Sequence, residues 1–273
     1  LGAMPVDVEA VVLSNTRLPG GYSVLELRAP ELASLAEPGQ FVMVRASHCD
    51  APLLRRPYSI FDLVRDADGR ASGFTLLNKR VGVGSGLLYE AAPGARFCCL
   101  GPLGRPFTLA APPVEAWMVA GGVGLAPFAT LAPALAGRGV AATLFYGGRT
   151  SADIFCLDRF EPHGVRVVIA TEDGSLGERG RVTLPLQAAL EAVPPERPVM
   201  IYACGPEPML KAVDELAARF GRPSELSLER HMGCGMGGCY SCVVRVRTPD
   251  GGSRYARTCI GGPVLRGDEV LWE

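Results

Sequence analysis

Four cysteines in the last quarter of the chain constrain it most. They stand as Cys234-x4-Cys239-x2-Cys242-x16-Cys259. Four thiolates can hold a [2Fe–2S] cluster, and three closely spaced cysteines with a distant fourth are one of the spacings such clusters use. Glycines at 233, 235, 237 and 238 fit this reading. A loop wrapped round a cluster needs positive φ and close approach of backbone N–H groups to sulfur, which glycine permits. A zinc site of four cysteines is the competing reading, since thiolates suit both metals. Zinc ribbons usually carry two C-x2-C knuckles, whereas here only Cys239 and Cys242 form one.

Such a loop is too small to be the whole protein, and the 273 residues allow two further domains. The first hundred read as β structure. Strand-like runs at 6–14, 22–28, 40–45, 58–64, 73–79 and 95–100 are separated by turn formers such as Pro19-Gly20-Gly21 and Pro93-Gly94. Six strands at this spacing predict a small antiparallel barrel. No helical period is read before residues 85–90.

From about Val114 strands and helices alternate: strands at 115–120, 141–147, 165–171 and 199–204, with helices to Ala136, at 184–192 and at 207–220. The last helix is amphipathic and is read as closing the domain. This alternation predicts a parallel sheet with ligands at the carboxyl ends of its strands. The expected fold class is α/β plus β. It comprises a β-barrel over 1–110, an α/β domain over 111–222 and a small cluster domain over 223–273.

Within the barrel, Arg56-Pro57-Tyr58-Ser59 offers a guanidinium for a pyrophosphate, a ring for stacking and a hydroxyl. A surface arginine and a core tyrosine would explain the same residues. Gly82-Val83-Gly84-Ser85 opens a short helix, whose N-terminal N–H groups suit phosphate. In the second domain, three motifs end strands: Gly121-Gly122-Val123-Gly124, Thr171-Glu172-Asp173-Gly174 and Cys204-Gly205-Pro206. The first is not G-x-G-x-x-G, and an ordinary strand-to-helix turn is its plain alternative. Cys204 alone reads as a small buried hydrophobe.

Taken together, these motifs resemble the ferredoxin–NAD(P)H reductase superfamily. Arg56-Pro57-Tyr58-Ser59 is similar to its flavin motif, and 121–127 and 204–209 to its two nicotinamide motifs. With the cysteine tail, the chain resembles, over nearly its whole length, the electron-transfer subunits of NAD-dependent dihydroorotate dehydrogenases. The resemblance implies FAD held by Arg56, Pro57, Tyr58, Ser59, Leu77, Asn78, Lys79, Gly84 and Ser85. It implies NAD(H) at Gly121, Gly122, Gly124, Glu172, Asp173, Cys204, Gly205 and Pro206, and a cluster on Cys234, Cys239, Cys242 and Cys259. Lys79 stands where arginine is common and Ser85 where threonine is common. The implied partner is an FMN-containing dihydroorotate dehydrogenase catalytic subunit, in a heterotetramer, within pyrimidine biosynthesis. A reductase serving ferredoxin, a hydrogenase or an oxygenase, and a redox sensor, are the alternatives.

Hydride comes from NADH as an electron pair and a cluster takes one electron, so a flavin belongs between them. No side-chain acid–base pair is required, so no catalytic residue is assigned. His48, His163 and His231 are scattered and read as surface or packing residues. Tyr240, beside two of the cysteines, could meet a partner or pack under its own loop.

The net charge of −1 gives no nucleic-acid footprint. The uncharged stretch 116–137 is broken by Gly121, Gly122, Gly124, Pro127 and Pro133, so a strand, a turn and a helix explain it better than a membrane span. Nine cysteines, four of them clustered, suit a reducing cytosol. Residues 1–3, ahead of Met4, read as an added remnant, and no secretory signal is read there.

Overall fold

The computed structural model of the chain describes residues 4–47 and 51–272, so His48 and residues 1–3 lie outside the described residues. The expected barrel is present and closed. It runs β1 (Val6–Leu18), β2 (Tyr22–Arg28), β3 (Phe41–Arg45), β4 (Arg56–Arg65), β5 (Ala71–Lys79) and β6 (Arg96–Leu103). Their order round the barrel is β1-β2-β5-β4-β3-β6, and all pairs are antiparallel. Alternating inward residues such as Leu25, Leu27, Val42, Val44, Leu76 and Phe74 fill it completely. A single helical turn, α1 (Pro30–Ala33), precedes the expected helix and is too short to show a period. Helix α2 (Val83–Glu90) follows the glycine loop.

The second sheet contains β7 (Glu115–Gly121), β8 (Ala142–Gly148), β9 (Arg166–Thr171), the two-residue β10 (Glu178–Arg179), β11 (Val199–Cys204) and β12 (Ser224–Ser227). Helices α3 (Ala126–Ala136), α4 (Thr183–Ala192) and α5 (Glu207–Arg219) connect them. Helix α3 is buried nearly all round because it lies between sheet and barrel, with Phe128 in one core with Phe61 of β4. That explains the long uncharged stretch. Among the described residues, no helix is long and apolar enough to cross a membrane.

Helix α5 does not close this sheet, contrary to the sequence reading. The order is β10-β9-β8-β7-β11-β12, and the chain returns from the cysteine loop to add an antiparallel edge strand, β15 (Val264–Arg266). Before it come the hairpin β13 (Val243–Arg247) and β14 (Ser253–Arg257), and the short helix α6 (Thr258–Gly261). Two strands beyond residue 222 thus belong to the nucleotide-binding sheet. The cysteine loop is held between strands of that sheet and the barrel.

Candidate electron-transfer site

Strand β4 opens with Arg56-Pro57-Tyr58-Ser59, and its register with β3 sets Phe41 opposite Ser59, Val42 opposite Tyr58 and Met43 opposite Pro57. Folding brings Gly84 to this segment: a Cβ there would come 3.6 Å from Arg56 Cγ. The two segments expected to meet phosphate therefore face one place. The first N–H groups of α2 have no intrahelical acceptor. Ser85 Oγ orders the loop before them by accepting from Val81 N and Gly82 N at 2.9 and 3.0 Å. Behind this surface the Tyr58 hydroxyl donates to Asn78 Oδ1 at 3.3 Å, and Asn78 Nδ2 donates to Ser85 O at 3.1 Å. Burial pushes the Tyr58 phenol up to about 12, so it stays a neutral donor. Leu77 and Asn78 are both buried, Asn78 against Tyr58 and Ser85 and Leu77 in the core shared with α3. Lys79 points elsewhere, its Nζ donating to the Tyr22 hydroxyl at 2.7 Å.

In the parallel sheet, β7 and β11 are neighbours, with Ala120 opposite Cys204. Strand order reverses between them, since β8 and β9 lie on one side and β11 on the other. Such a reversal creates a crevice at the carboxyl ends. Gly121, Gly122 and Gly124 line one wall, and Cys204, Gly205 and Pro206 the other. The walls touch: a Cβ on Gly124 would fall 2.1 Å from Cys204 O, and one on Gly121 would fall 2.9 Å from Pro206 Cδ. Burial pushes the Cys204 thiol up to about 12, so it is a neutral group at this edge. Glu172 and Asp173 stand two strands away on the same edge, both exposed. Hydrogen bonds from Ser175 hold the Asp173 carboxyl below the usual carboxylate range.

The four cysteines are gathered as two pairs. The nearby backbone N–H groups of Ser241, Cys234 and Gly233, with the Cys234 thiol, pull the Cys239 thiol down to about 6. Cys259 contacts Cys242, and burial pushes its thiol up to about 12. Among the described residues, no group of three or more His, Cys, Asp or Glu side chains is arranged to hold a single metal ion. Four thiolates can together hold a [2Fe–2S] cluster. The glycines act as expected at one position above all. Gly235 has φ +72°, and a Cβ on it would lie 2.5 Å from Met43 Cγ of the barrel. Phe41, Met43 and Leu103 of the barrel share a core with Met232, Cys242 and Cys259. The flavin motif and the cysteines are therefore separated by one strand, β3.

Tyr240 is exposed at φ 57°, with the Arg257 guanidinium 4.6 Å from its ring centre. Arg257 also donates to Gly237 O at 2.7 Å, tying β14 to the cysteine loop. His163 is half-buried and His231 exposed, and neither joins these sites. Sequence reasoning missed Tyr22 and Asp153, which join the two large domains. A tyrosine after a Pro-Gly-Gly turn carries no local signal, and Thr150-x-x-Asp153 is a readable capping box that gives no hint of a contact with the barrel.

A closed flavin-type barrel, a crevice at a sheet reversal and a paired-thiolate loop within one strand of the barrel define a nicotinamide-dependent iron–sulfur flavoprotein reductase. Residues 229–271 match the iron–sulfur cluster binding domain of dihydroorotate dehydrogenase B, and residues 118–215 match the oxidoreductase NAD-binding domain. The chain belongs to the family of electron transfer subunits of dihydroorotate dehydrogenase B (NAD(+)). It is 40% identical over 265 residues to the subunit of that name from Desulforamulus reducens, covering 97% of this chain and 98% of the relative. The Geobacillus thermodenitrificans subunit is 41% identical over 250 residues, covering 90% and 91%. The solved structure of an NADH-dependent reduced ferredoxin-NADP oxidoreductase superposes with a TM-score of 0.82 at 27% identity, over 100% of this chain and 91% of that chain.

Proposed function

We propose that this chain carries electrons between NAD(H) and an FMN-containing catalytic subunit that oxidises dihydroorotate, through FAD and a [2Fe–2S] cluster. The observation that carries this reading is the position of β4. The strand that opens with the flavin motif lies between the cysteine loop, reached through Phe41 and Met43, and the nucleotide-binding sheet, reached through Phe61 and α3. Bound FAD supplies the exchange between paired and single electrons that joins the two ends.

Arg56 and the first turn of α2 would hold the FAD pyrophosphate, with Gly84 allowing close approach. Tyr58 would lie along the flavin ring, with Pro57 and Ser59 completing that wall and Leu77, Asn78 and Ser85 fixing it. Gly121, Gly122 and Gly124 would cradle the nicotinamide dinucleotide against Cys204, Gly205 and Pro206. Cys234 with Cys239, and Cys242 with Cys259, would each hold one iron. Family membership supports the catalytic partner, and the heterotetramer with an FMN subunit is the finer reading that goes with it. The free thiols among the described cysteines support a cytosolic setting.

Glu172 and Asp173 would border the adenosine ribose, where a 2′-phosphate meets like charge. Both are exposed, so salt screens the repulsion, and the expected preference for NADH over NADPH is roughly tenfold in kcat/KM. Equal kcat/KM for the two nucleotides would place the pair away from the ribose.

The purified holoprotein tests the reading. It should contain about two irons and two labile sulfides per chain, reduce dyes with NADH and form no orotate unaided. Zinc without labile sulfide, or NADH giving no dye reduction, would overturn it. A ferredoxin, hydrogenase or oxygenase reductase would give the same dye activity but no response to a dihydroorotate-oxidising partner.

A further inference from the structure

The barrel and the nucleotide-binding sheet meet across a polar cluster that the cofactor sites described above leave unused. Tyr22 is 2% exposed, and its hydroxyl donates to Asp153 Oδ1 at 2.7 Å. Lys79 is its cross-strand partner between β2 and β5. Lys79 Nζ donates to the same hydroxyl at 2.7 Å and stands 3.9 Å from Asp153 Oδ1. The second oxygen of Asp153 accepts from Arg149 N and Thr150 N at 3.1 and 3.3 Å. One carboxylate therefore shapes the loop leaving β8 and ties that loop to two barrel strands.

Tyr22 also reaches the loop leaving β7. A Cβ on Gly122 would lie 3.7 Å from Tyr22 Oη. Its ring packs on Phe155, with centroids 4.6 Å apart. Loops from the carboxyl ends of β7 and β8 thus rest on one buried tyrosine whose own strand belongs to the barrel. Burial opposes ionisation of Asp153, but the bonds from Tyr22, Thr150 and Arg149, with the charge of Lys79, hold its carboxyl below the usual range. Each polar group has a partner, as a buried charged network needs to be stable.

We infer that Lys79, Tyr22 and Asp153 form an interdomain latch that fixes the loop leaving β8 and, through Gly122, the nicotinamide loop leaving β7 over the flavin barrel, and that the Lys79 side chain serves this latch instead of the FAD pyrophosphate. This rests on the reading above, in which the two domains hold FAD and NAD(H). The three are positioning residues, because they act through the loops they hold. Loss of one bond lets the β7 and β8 loops shift relative to β4, and hydride transfer is sensitive to displacements of about an ångström.

The test uses holoprotein carrying Tyr22→Phe, Lys79→Met, Asp153→Asn, Lys79→Arg and the Lys79→Met/Asp153→Asn double substitution. Single-turnover flavin reduction is measured at saturating NADH, alongside the dissociation constants for FAD and NADH. Tyr22→Phe, Lys79→Met and Asp153→Asn should each slow flavin reduction by about tenfold, with both dissociation constants within about twofold of wild type. The double variant should be no slower than its slower parent, because groups in one network do not act additively. Lys79→Arg should restore most of the rate. Tyr22→Phe removes one oxygen and keeps the ring, so it remains informative if Asp153→Asn does not fold. Weakened FAD binding in Lys79→Met alone, additive losses in the double variant, or a wild-type rate in Tyr22→Phe would overturn the latch. Wild-type protein that NADH fails to reduce would overturn the function instead.

Discussion

Cys239→Ser is expected to abolish dihydroorotate-dependent NAD reduction by the reconstituted complex, by at least about a thousandfold, while NADH still reduces the flavin. The expectation follows from what this side chain does. Backbone N–H groups of Ser241, Cys234 and Gly233 near its sulfur draw its thiol down to about 6, which favours the thiolate that binds iron. A serine oxygen is a harder and far more basic donor, and it would leave one iron with a single thiolate. The flavin should remain, because the barrel closes on its own core of residues such as Leu25, Val42 and Leu76. Iron and labile-sulfide content, flavin content and the two activities are measured on one preparation. Retained coupled activity without labile sulfide would show that electrons take another exit.

Gly124→Ala is expected to have the second largest effect, on the nicotinamide side. The added methyl would sit 2.1 Å from Cys204 O, 2.5 Å from Cys204 C and 2.7 Å from Gly205 N. All three atoms are backbone, so no rotamer change relieves the clash. The ladder that pairs β7 with β11 prevents the strands from separating. One of the two loops must move, at a cost of about 1–3 kcal/mol or more in stability. Flavin reduction by NADH should fall by about a hundredfold, since both walls of the crevice come from these loops. Flavin content should be unchanged. The rate from stopped-flow absorbance and the unfolding midpoint together check this, and a wild-type rate would place the dinucleotide outside the crevice.

Much of the architecture was legible because local signals agreed. Turn formers such as Pro19-Gly20-Gly21 and Pro93-Gly94 separate barrel strands, and strands β7, β8, β9 and β11 carry the apolar runs of a buried parallel sheet. Strand β12 was not legible, because Ser224-Glu225-Leu226-Ser227 is polar in sequence yet buried throughout. Its buried Glu225 accepts from Thr108 N at 2.9 Å, a use that no hydropathy pattern announces. Strand β15 is three residues long and pairs only because the chain returns from the cysteine loop. The Val-Arg alternation of β13 was a readable signal for the hairpin.

The candidate site divides in the same way. Cysteine spacing pointed to the cluster, since the ligands of such a loop are mostly close in sequence. The meeting of Arg56 with Gly84, and of Met43 with Gly235, depends on barrel closure and on long-range packing. Lys79 is read by resemblance as an FAD contact, and what no local pattern shows is that its ammonium meets Tyr22 and Asp153 across the domain boundary.

If this chain links a dihydroorotate-oxidising flavoprotein to NAD, that link is visible in a mixture of the two proteins. It is tested most directly by mixing the holoprotein with an FMN-containing dihydroorotate dehydrogenase catalytic subunit and following NADH formation on addition of dihydroorotate without oxygen. NADH should form only when both proteins are present, with orotate produced in equal amount. Orotate formation by this chain alone, or no NADH from the fully loaded mixture, would contradict it.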